Sequence, residues 1–395
     1  MKKLLLLLAI IGICYADQWA VLVAGSMNGK ADIWNYRHQS DIYHAFRILT
    51  TNGIPVENII TMTYDDTAYN SANPFPGQVY NYLEDTVNEY KGFNKDYTKH
   101  LVTPDNFLAV LKGNSTHVHG RKVLKSSKDD HVFLYFADHG APGLVAFPNE
   151  TQVLYAHELM NAFQYMHDHH MYKEMVVYIE ACESGSMFAG QLSKKQKTLL
   201  DLNIYALTAA SPFQSSYACC FDDKIGTYLA DVFSINWMLD TQFHKTEAEP
   251  IFHQYLHVAN GTNTSIVCEY GNLDISKEKL WRFQGASPID VNASKVEITD
   301  VVPSRRVAIN SILRQLTKEL NNPLQSMDTD NVDRVLSQLV DHWNMMKRAR
   351  ITHKNIVPPP ADCHSKVDSY AVEAYIKNMP YAPIEYDFEM MSGLF

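Results

Sequence analysis

Short apolar runs that stop at small or polar residues recur along the first 270 positions. Trp19-Ala20-Val21-Leu22-Val23-Ala24 stops at Gly25-Ser26, and Ile59-Ile60-Thr61-Met62-Thr63-Tyr64 stops at Asp65-Asp66. Val132-Phe133-Leu134-Tyr135-Phe136-Ala137 ends at Asp138-His139-Gly140, and Met175-Val176-Val177-Tyr178-Ile179 ends at Glu180-Ala181-Cys182. Asn203 to Ala209 is a fifth run. Runs this short, without polar alternation, predict strands buried on both faces. Helical stretches are expected between them, at 37–52 (closed by Asn52-Gly53), at about 155–170 and near 224–239. That alternation predicts an α/β domain with a parallel sheet and helices on both faces. The Pro- and Asn-rich segment 65–80 and the Lys-rich segment 191–198 read as surface loops.

Near residue 285 the pattern turns helical. Helices are expected at 304–320 and 330–349, the second with Val332, Val335, Leu336, Leu339, Val340, Trp343 and Met346 on one stripe. Pro358-Pro359-Pro360 is a stiff connector before a short helical segment at 366–378. At the other end, Lys2-Lys3, an apolar core from Leu4 to Ile13 and Cys14-Tyr15-Ala16 have the form of a secretory leader. The expected organisation is a leader at 1–16, an α/β domain at 17–285, a linker at 286–303 and a helical module at 304–395. Sequons at Asn114, Asn149, Asn260, Asn263 and Asn292 agree with a secretory route. No later segment reads as a membrane helix.

The chain holds 34 Lys and Arg against 44 Asp and Glu, a formal net charge of -10, which argues against a nucleic-acid partner. Six cysteines are present, and Cys14 falls in the leader. The remaining five are an odd, sparse set and not a disulfide framework. One thiol is expected to be free, with Cys182 the candidate, whereas Cys268 reads as a small buried hydrophobe. No metal-ligand spacing or phosphate loop is visible, so no metal or cofactor is expected.

Parallel strands ending side by side would bring Cys182 and His139 to the carboxyl edge of the sheet, where open α/β folds place their chemistry. A thiol with a neighbouring imidazole is a nucleophile with its general base. Gly140 would leave room beside a reacting carbonyl, and the Gly140 and Cys182 amides would form the oxyanion hole.

A strand ending in His139-Gly140, followed by Ala181-Cys182-x-x-Gly185 with the cysteine 43 residues after the histidine, resembles the caspase-like cysteine peptidases. Within that clan the chain resembles the legumain family, the asparaginyl endopeptidases or vacuolar processing enzymes. The resemblance lies in Asn35-Tyr36-Arg37-His38-Gln39, Asp65-Asp66, Asn73-Pro74, Tyr135 to Gly140, Phe147 to Glu150, Tyr178 to Met187 and Ser215 to Cys219, and spans most of 19–285. It implies a caspase-like, mostly parallel six-stranded sheet flanked by helices, with a smaller α-helical C-terminal module. It also implies Asn35 as the third catalytic residue, and Arg37, His38, Glu180, Ser216 and Asp231 lining the pocket for the residue before the scissile bond (S1). Asp138 matches a position linked to succinimide formation and ligation. The C-terminal module matches a prodomain that inhibits in cis and is cut away after Asn or Asp at low pH. Asn310, Asn321 and Asp328 are the candidate processing points. That module carries only Cys363, where the animal pattern has several cysteines. The family also implies peptide substrates with Asn or Asp, and a lysosome-like or vacuolar compartment or secretion.

The pocket residues can be read physically. An Asn side chain presents one carbonyl acceptor and an NH₂ donor. Arg37 on one wall and Glu180 and Asp231 on the other would match both, and Arg37 would serve as the cationic partner that a buried Glu180 needs. Four rival readings are a GPI-anchor transamidase-like enzyme, a caspase proper (which would lack the leader and the Asn35-to-His38 run), a peptide ligase on the same fold and a non-enzymatic surface-binding protein. The first would add a membrane helix after the domain and a different motif around its cysteine. The last would not need every catalytic position filled.

Overall fold

A computed structural model describes residues 16–308, 310, 311 and 314, apart from 31, 84, 149–151, 190–196 and 288–295. The chain runs through β1 (Gln18–Ala24), α1 (Tyr36–Thr51), β2 (Ile59–Met62), α2 (Pro104–Leu111) and β3 (His131–Ala137). A small antiparallel meander of β4 (Gly140–Ala141), β5 (Leu144–Ala146) and β6 (Val153–Tyr155) leads into α3 (Ala156–Asp168). Then come β7 (Glu174–Glu180), β8 (Ile204–Thr208), β9 (Tyr217–Asp222), β10 (Thr227–Asp231), α4 (Val232–Phe243) and α5 (Ile251–Gly261). The last elements are β11 (Cys268–Gly271), α6 (Trp281–Gln284) and β12 (Val302–Pro303).

Six strands form the main sheet, in the order β11-β8-β7-β3-β1-β2. All neighbours pair in parallel except the edge strand β11, which runs antiparallel to β8. The unbroken apolar runs follow from burial on both faces. Ala20, Leu22, Phe133, Tyr135 and Tyr178 point into a core shared with α1, α4 and α5. Val21, Val23, Leu134, Phe136 and Val177 point the other way, onto α2 and α3. Successive side chains on a strand alternate faces, so one apolar run serves two cores.

Two expectations change. The helix expected near 224–239 is half strand: Thr227–Asp231 forms a hairpin with β9, with Thr227 opposite Asp222 and Asp231 opposite Ala218. Asp222 accepts from the Lys224 and Ile225 amides, both at 2.8 Å, and Gly226 takes φ +80°, which turns the chain back. The Tyr228-Leu229-Ala230 run is too short for periodicity to separate strand from helix. The stretch around the boundary expected at 303/304 packs on the α/β domain. β12 pairs with β9, with Val302 opposite Ala218 and Pro303 opposite Tyr217, and Val307 joins a cluster with Ala218, Phe221 and Tyr228. Cys268, read as a small hydrophobe, is disulfide-bonded, while Cys182, Cys219 and Cys220 are free.

Of the helix expected at 304–320, Ser304–Arg306 is a 3₁₀ turn, and 307, 308, 310, 311 and 314 are helical. The leader, the helices expected at 330–349 and 366–378, Asn321, Asp328 and Cys363 lie outside the described residues. So do the sequons Asn149 and Asn292, whereas Asn114, Asn260 and Asn263 are exposed. No helix among the described residues is long and apolar enough to cross a membrane.

Trp237 joins α4 to the sheet, with ring centroids 5.7 Å from Phe133, 5.0 Å from Tyr135 and 5.7 Å from Tyr178. Trp237→Ala should cost about 3–5 kcal/mol, seen as a fall of roughly 10 °C in a thermal melt. A melt within about 2 °C of wild type would contradict this packing.

Candidate active site

Parallel pairing of β3 with β7 sets Ala137 opposite Glu180, and the Asp138 amide donates to the Glu180 carbonyl at 3.0 Å. His139 and Cys182 therefore leave the sheet at the same edge. A Cβ built on Gly140 would lie 2.2 Å from the Cys182 carbonyl oxygen and 3.0 Å from the Ala181 Cβ. The expectation was that this glycine spares room for a substrate; the space it spares is filled by the Cys182 backbone itself. The chain then turns sharply at Glu183, which adopts φ +49° and donates its amide to the Gln214 carbonyl at 2.7 Å. A non-glycine residue in that conformation costs on the order of 1 kcal/mol, held in place by its neighbours.

His139 Nε2 lies 2.8 Å from Asn35 Oδ1. Asn35 Nδ2 donates to the Met27 carbonyl at 2.8 Å, so Oδ1 is the acceptor. The network therefore assigns the proton to Nε2 and leaves Nδ1 as the basic nitrogen. Asn35 is held in turn: its amide donates to Asn28 Oδ1 at 3.0 Å, and the Asn28 amide donates to Asp66 at 2.9 Å. Gln39 Nε2 donates to the same carboxylate at 2.6 Å. Asp66 thus ties the loop after β2 to the loop before α1.

Cys182 Sγ sits 3.1 Å from Ser215 Oγ and 3.8 Å from Ser216 Oγ. Burial pushes its thiol up, with the Arg305 charge opposing and the Glu183 charge adding to it. A sulfur in that state needs a base to become a thiolate near neutral pH.

The expected pocket residues converge, but they do not pair as expected. Arg37 is fully buried and ion-paired through Nε to Asp231 Oδ1 at 2.8 Å, while its Nη1 donates to the Trp34 carbonyl at 2.8 Å. Arg37 is therefore the partner of Asp231 and not of Glu180. Glu180 Oε2 instead accepts from the Ser234 amide at 3.1 Å and the Ser234 hydroxyl at 3.0 Å, in the first turn of α4. Asp231 closes β10 and precedes α4, and its amide donates to Asp41 at 3.4 Å.

These carboxyls crowd one another. Burial and then the Asp231 charge push both Asp41 and Glu180 well up, and burial raises Asp231 against the pull of Arg37. Asp138 is buried and pushed well up by desolvation, 3.3 Å from His38 Nδ1 and without a hydrogen bond to either carboxyl oxygen. Burial, then the Arg37 and His139 charges, push His38 well down, so it is neutral. Its Nδ1 meets Ser26 Oγ at 2.6 Å and its ring meets His139 edge-on at 4.8 Å.

Five polar atoms in this group are buried without a hydrogen-bond partner: Arg37 Nη2, Glu180 Oε1, Asp231 Oδ2 and both Asp138 carboxyl oxygens, with His38 Nε2 standing 3.7 Å from Asp231 Oδ2.

Ser304, which carried no signal in the sequence, enters the same group. Its amide donates to the Ser216 carbonyl at 2.9 Å, and its hydroxyl lies 3.2 Å from Ser216 Oγ and 3.3 Å from Asp231 Oδ1. Next to it, Arg305 ion-pairs with Glu183 and reaches the Gly140 carbonyl at 3.4 Å. His38, Asp138 and His139 bring three ligand-type atoms within 4.8 Å of one another. The Ser26 and Asn35 contacts engage one nitrogen of each ring, His38 Nδ1 and His139 Nε2. At the far end of α4, Asp240, His244, Glu249 and His257 also bring four ligand-type atoms within 4.8 Å of one another.

Residues 18–286 match the model of the Peptidase C13 family. The chain is 47% identical to mouse (Mus musculus) legumain over 308 residues, 76% of this chain and 67% of that one. It is 43% identical to the hemoglobinase of Schistosoma japonicum over 303 residues, 76% of this chain and 68% of that one. It is 39% identical to the vacuolar-processing enzyme delta-isozyme of Arabidopsis thaliana over 353 residues, 84% of this chain and 72% of that one. With a free buried cysteine at the carboxyl edge of its sheet, the chain belongs to the peptidase C13 family and is a cysteine endopeptidase of the legumain kind.

Proposed function

We propose that this peptidase cleaves on the carboxyl side of Asn, through a thioester on Cys182, and is made as a zymogen. The carrying observation is three of the buried atoms that lack a hydrogen bond, one each on Arg37, Glu180 and Asp231. Arg37 Nη2 is a donor, while Glu180 Oε1 and Asp231 Oδ2 are acceptors. A carboxamide offers the complement, one carbonyl oxygen and one NH₂. Leaving such atoms unpaired costs about 1–3 kcal/mol each, so a substrate that pairs them is favoured over one that cannot. Gln carries the same group one methylene further out and is excluded by length. An ionised Asp would face the Asp231, Glu180 and Asp41 carboxyls, so it fits once protonated.

In this reading the Cys182 thiol gives its proton to His139 Nδ1, and the thiolate attacks the scissile carbonyl carbon. The Gly140 and Cys182 amides receive the oxyanion, a donor pair in which each member is worth about 2.7–4 kcal/mol. The imidazolium then protonates the leaving amine, and the thioester remains. His139 next takes a proton from water, the hydroxide adds, and the thiolate leaves with release of the new carboxyl terminus. Asn35 keeps the Nε2–H tautomer through both halves.

Segment 299–306 supports the zymogen reading. It adds a strand to β9, as extended peptides do on open sheet edges, and sets Ser304 at the mouth of the proposed S1 pocket. A serine hydroxyl is too short to satisfy all three unpaired atoms. The segment thus occupies the site without the contacts that a cleaved residue would make in the transition state. The expected leader, together with a relative named for vacuolar processing, supports a route through the endomembrane system.

A peptide-library digest should show cleavage after Asn, lost in Cys182→Ala. The Asp/Asn ratio of kcat/KM should rise about tenfold per pH unit from pH 7 to 5, as a substrate Asp of pKa about 3.9 takes up its proton. A flat ratio over that range counts against the pocket.

Burial raises Glu183, and Arg305 pulls it back, leaving it pushed up to about 7. Glu183 is therefore ionised above about 7, where it attracts Arg305. As pH falls through that value it is protonated, and the attraction is lost. Full-length Arg305→Ala keeps the burial cost and lacks the pair. It should show several-fold more activity than wild type at pH 8, with the gap closing by pH 5.5. A gap that widens in acid contradicts this role.

A further inference from the structure

Asp231, in the proposed S1 pocket, precedes α4; the last turn of that helix, roughly 18 Å away at about 1.5 Å per residue, carries a second cluster. Asp240 and His244 lie one turn apart and so share a face, and Glu249 and His257 reach them from the following loop and α5. One ligand atom from each of the four lies within 4.8 Å of all the others. His257 Nδ1 is 2.5 Å and His244 Nδ1 is 3.0 Å from Asp240 Oδ1. The Glu249 oxygens are 3.9 Å from His244 Nδ1 and 4.0 Å from His257 Nδ1. Around a tetrahedral zinc, with bonds of roughly 2.0–2.1 Å, ligand atoms stand about 3.3 Å apart, and the observed spacings straddle that value.

A second observation points to a ligand. The Glu249 side chain is 8% exposed, and its Oε2 is buried with no hydrogen-bond partner. Asp240 is 3% exposed, and its second oxygen accepts from Gln254 Nε2 at 2.9 Å, the outer support that orients a ligating carboxylate. The two imidazoles are 45% and 55% exposed, so an ion can reach the cluster from solvent.

We propose that Asp240, His244, Glu249 and His257 form a binding site for a zinc-type divalent ion. Two imidazoles with two carboxylates suit zinc better than calcium or magnesium, which prefer all-oxygen shells. Four protein ligands make a closed, structural site rather than a catalytic one. Bound there, the ion clamps the end of α4 to α5 and braces the helix whose first turn holds Glu180.

The test uses the untagged full chain as Cys182→Ala, which removes both the active-site thiol and self-processing. Calorimetric titration with zinc chloride should find one ion per chain. A thermal melt should rise by about 5 °C at free zinc about 100-fold above Kd. Adding His244→Ala with His257→Ala should weaken binding about 100-fold or more and abolish the shift. If that protein does not fold, Glu249→Gln should still weaken binding at least about tenfold. Absence of zinc binding by the parent, or unchanged affinity in these variants, overturns the site and means that Asp240 merely bridges two histidines. Neither result bears on the Asn pocket, because none of the four residues lines it.

Discussion

The in-register parallel pairing of β3 with β7 is the constraint on which the rest of the site depends. Both strands are buried on both faces, so their backbones satisfy one another until the sheet ends, and polar side chains can begin only there. With Ala137 opposite Glu180, that end falls at the same level in both strands. The next residues are a His-Gly pair and a cysteine whose carbonyl nests against the glycine. A one-residue slip would turn every strand side chain to the wrong core and carry the imidazole away from the sulfur.

Beside that pair the protein carries a buried charge arrangement that does not favour stability. Asp41, Asp138, Glu180 and Asp231 cluster around Arg37, and burial drives all four carboxyls upward. Desolvating an ion pair offsets much of its attraction, and five polar atoms of the cluster lack a hydrogen bond as well. A core designed only to fold would replace them with apolar side chains. The proposed recognition role accounts for their persistence, with Ser234, Trp34 and Asn81 holding the donors and acceptors in place.

Helix α4 links the features around this pocket. Its first turn clamps Glu180, its middle is locked to the sheet by Trp237, and its end carries two of the four proposed metal ligands, Asp240 and His244. The β9–β10 hairpin leading into it offers the edge on which β12 lies. The proposed pocket wall, the edge on which β12 lies and the proposed distal brace are therefore consecutive in the chain.

How much of this was legible beforehand depended on the range of the interaction. Unbroken apolar runs are set by local burial, so the parallel sheet and the tips bearing His139 and Cys182 could be read from residues alone, and motif resemblance supplied Asn35 and the pocket members. Partners could not be read that way. Arg37 pairs with Asp231 across 194 positions, leaving Glu180 to a serine, and Ser304 reaches the pocket from 73 positions beyond Asp231. Tyr228-Leu229-Ala230 became strand because β9 was beside it. The sequence by itself determined which segments are buried and where each must stop, since that follows from side-chain polarity along a few residues. Only the tertiary structure decided which charges meet, because those contacts depend on packing between segments that carry no trace of one another.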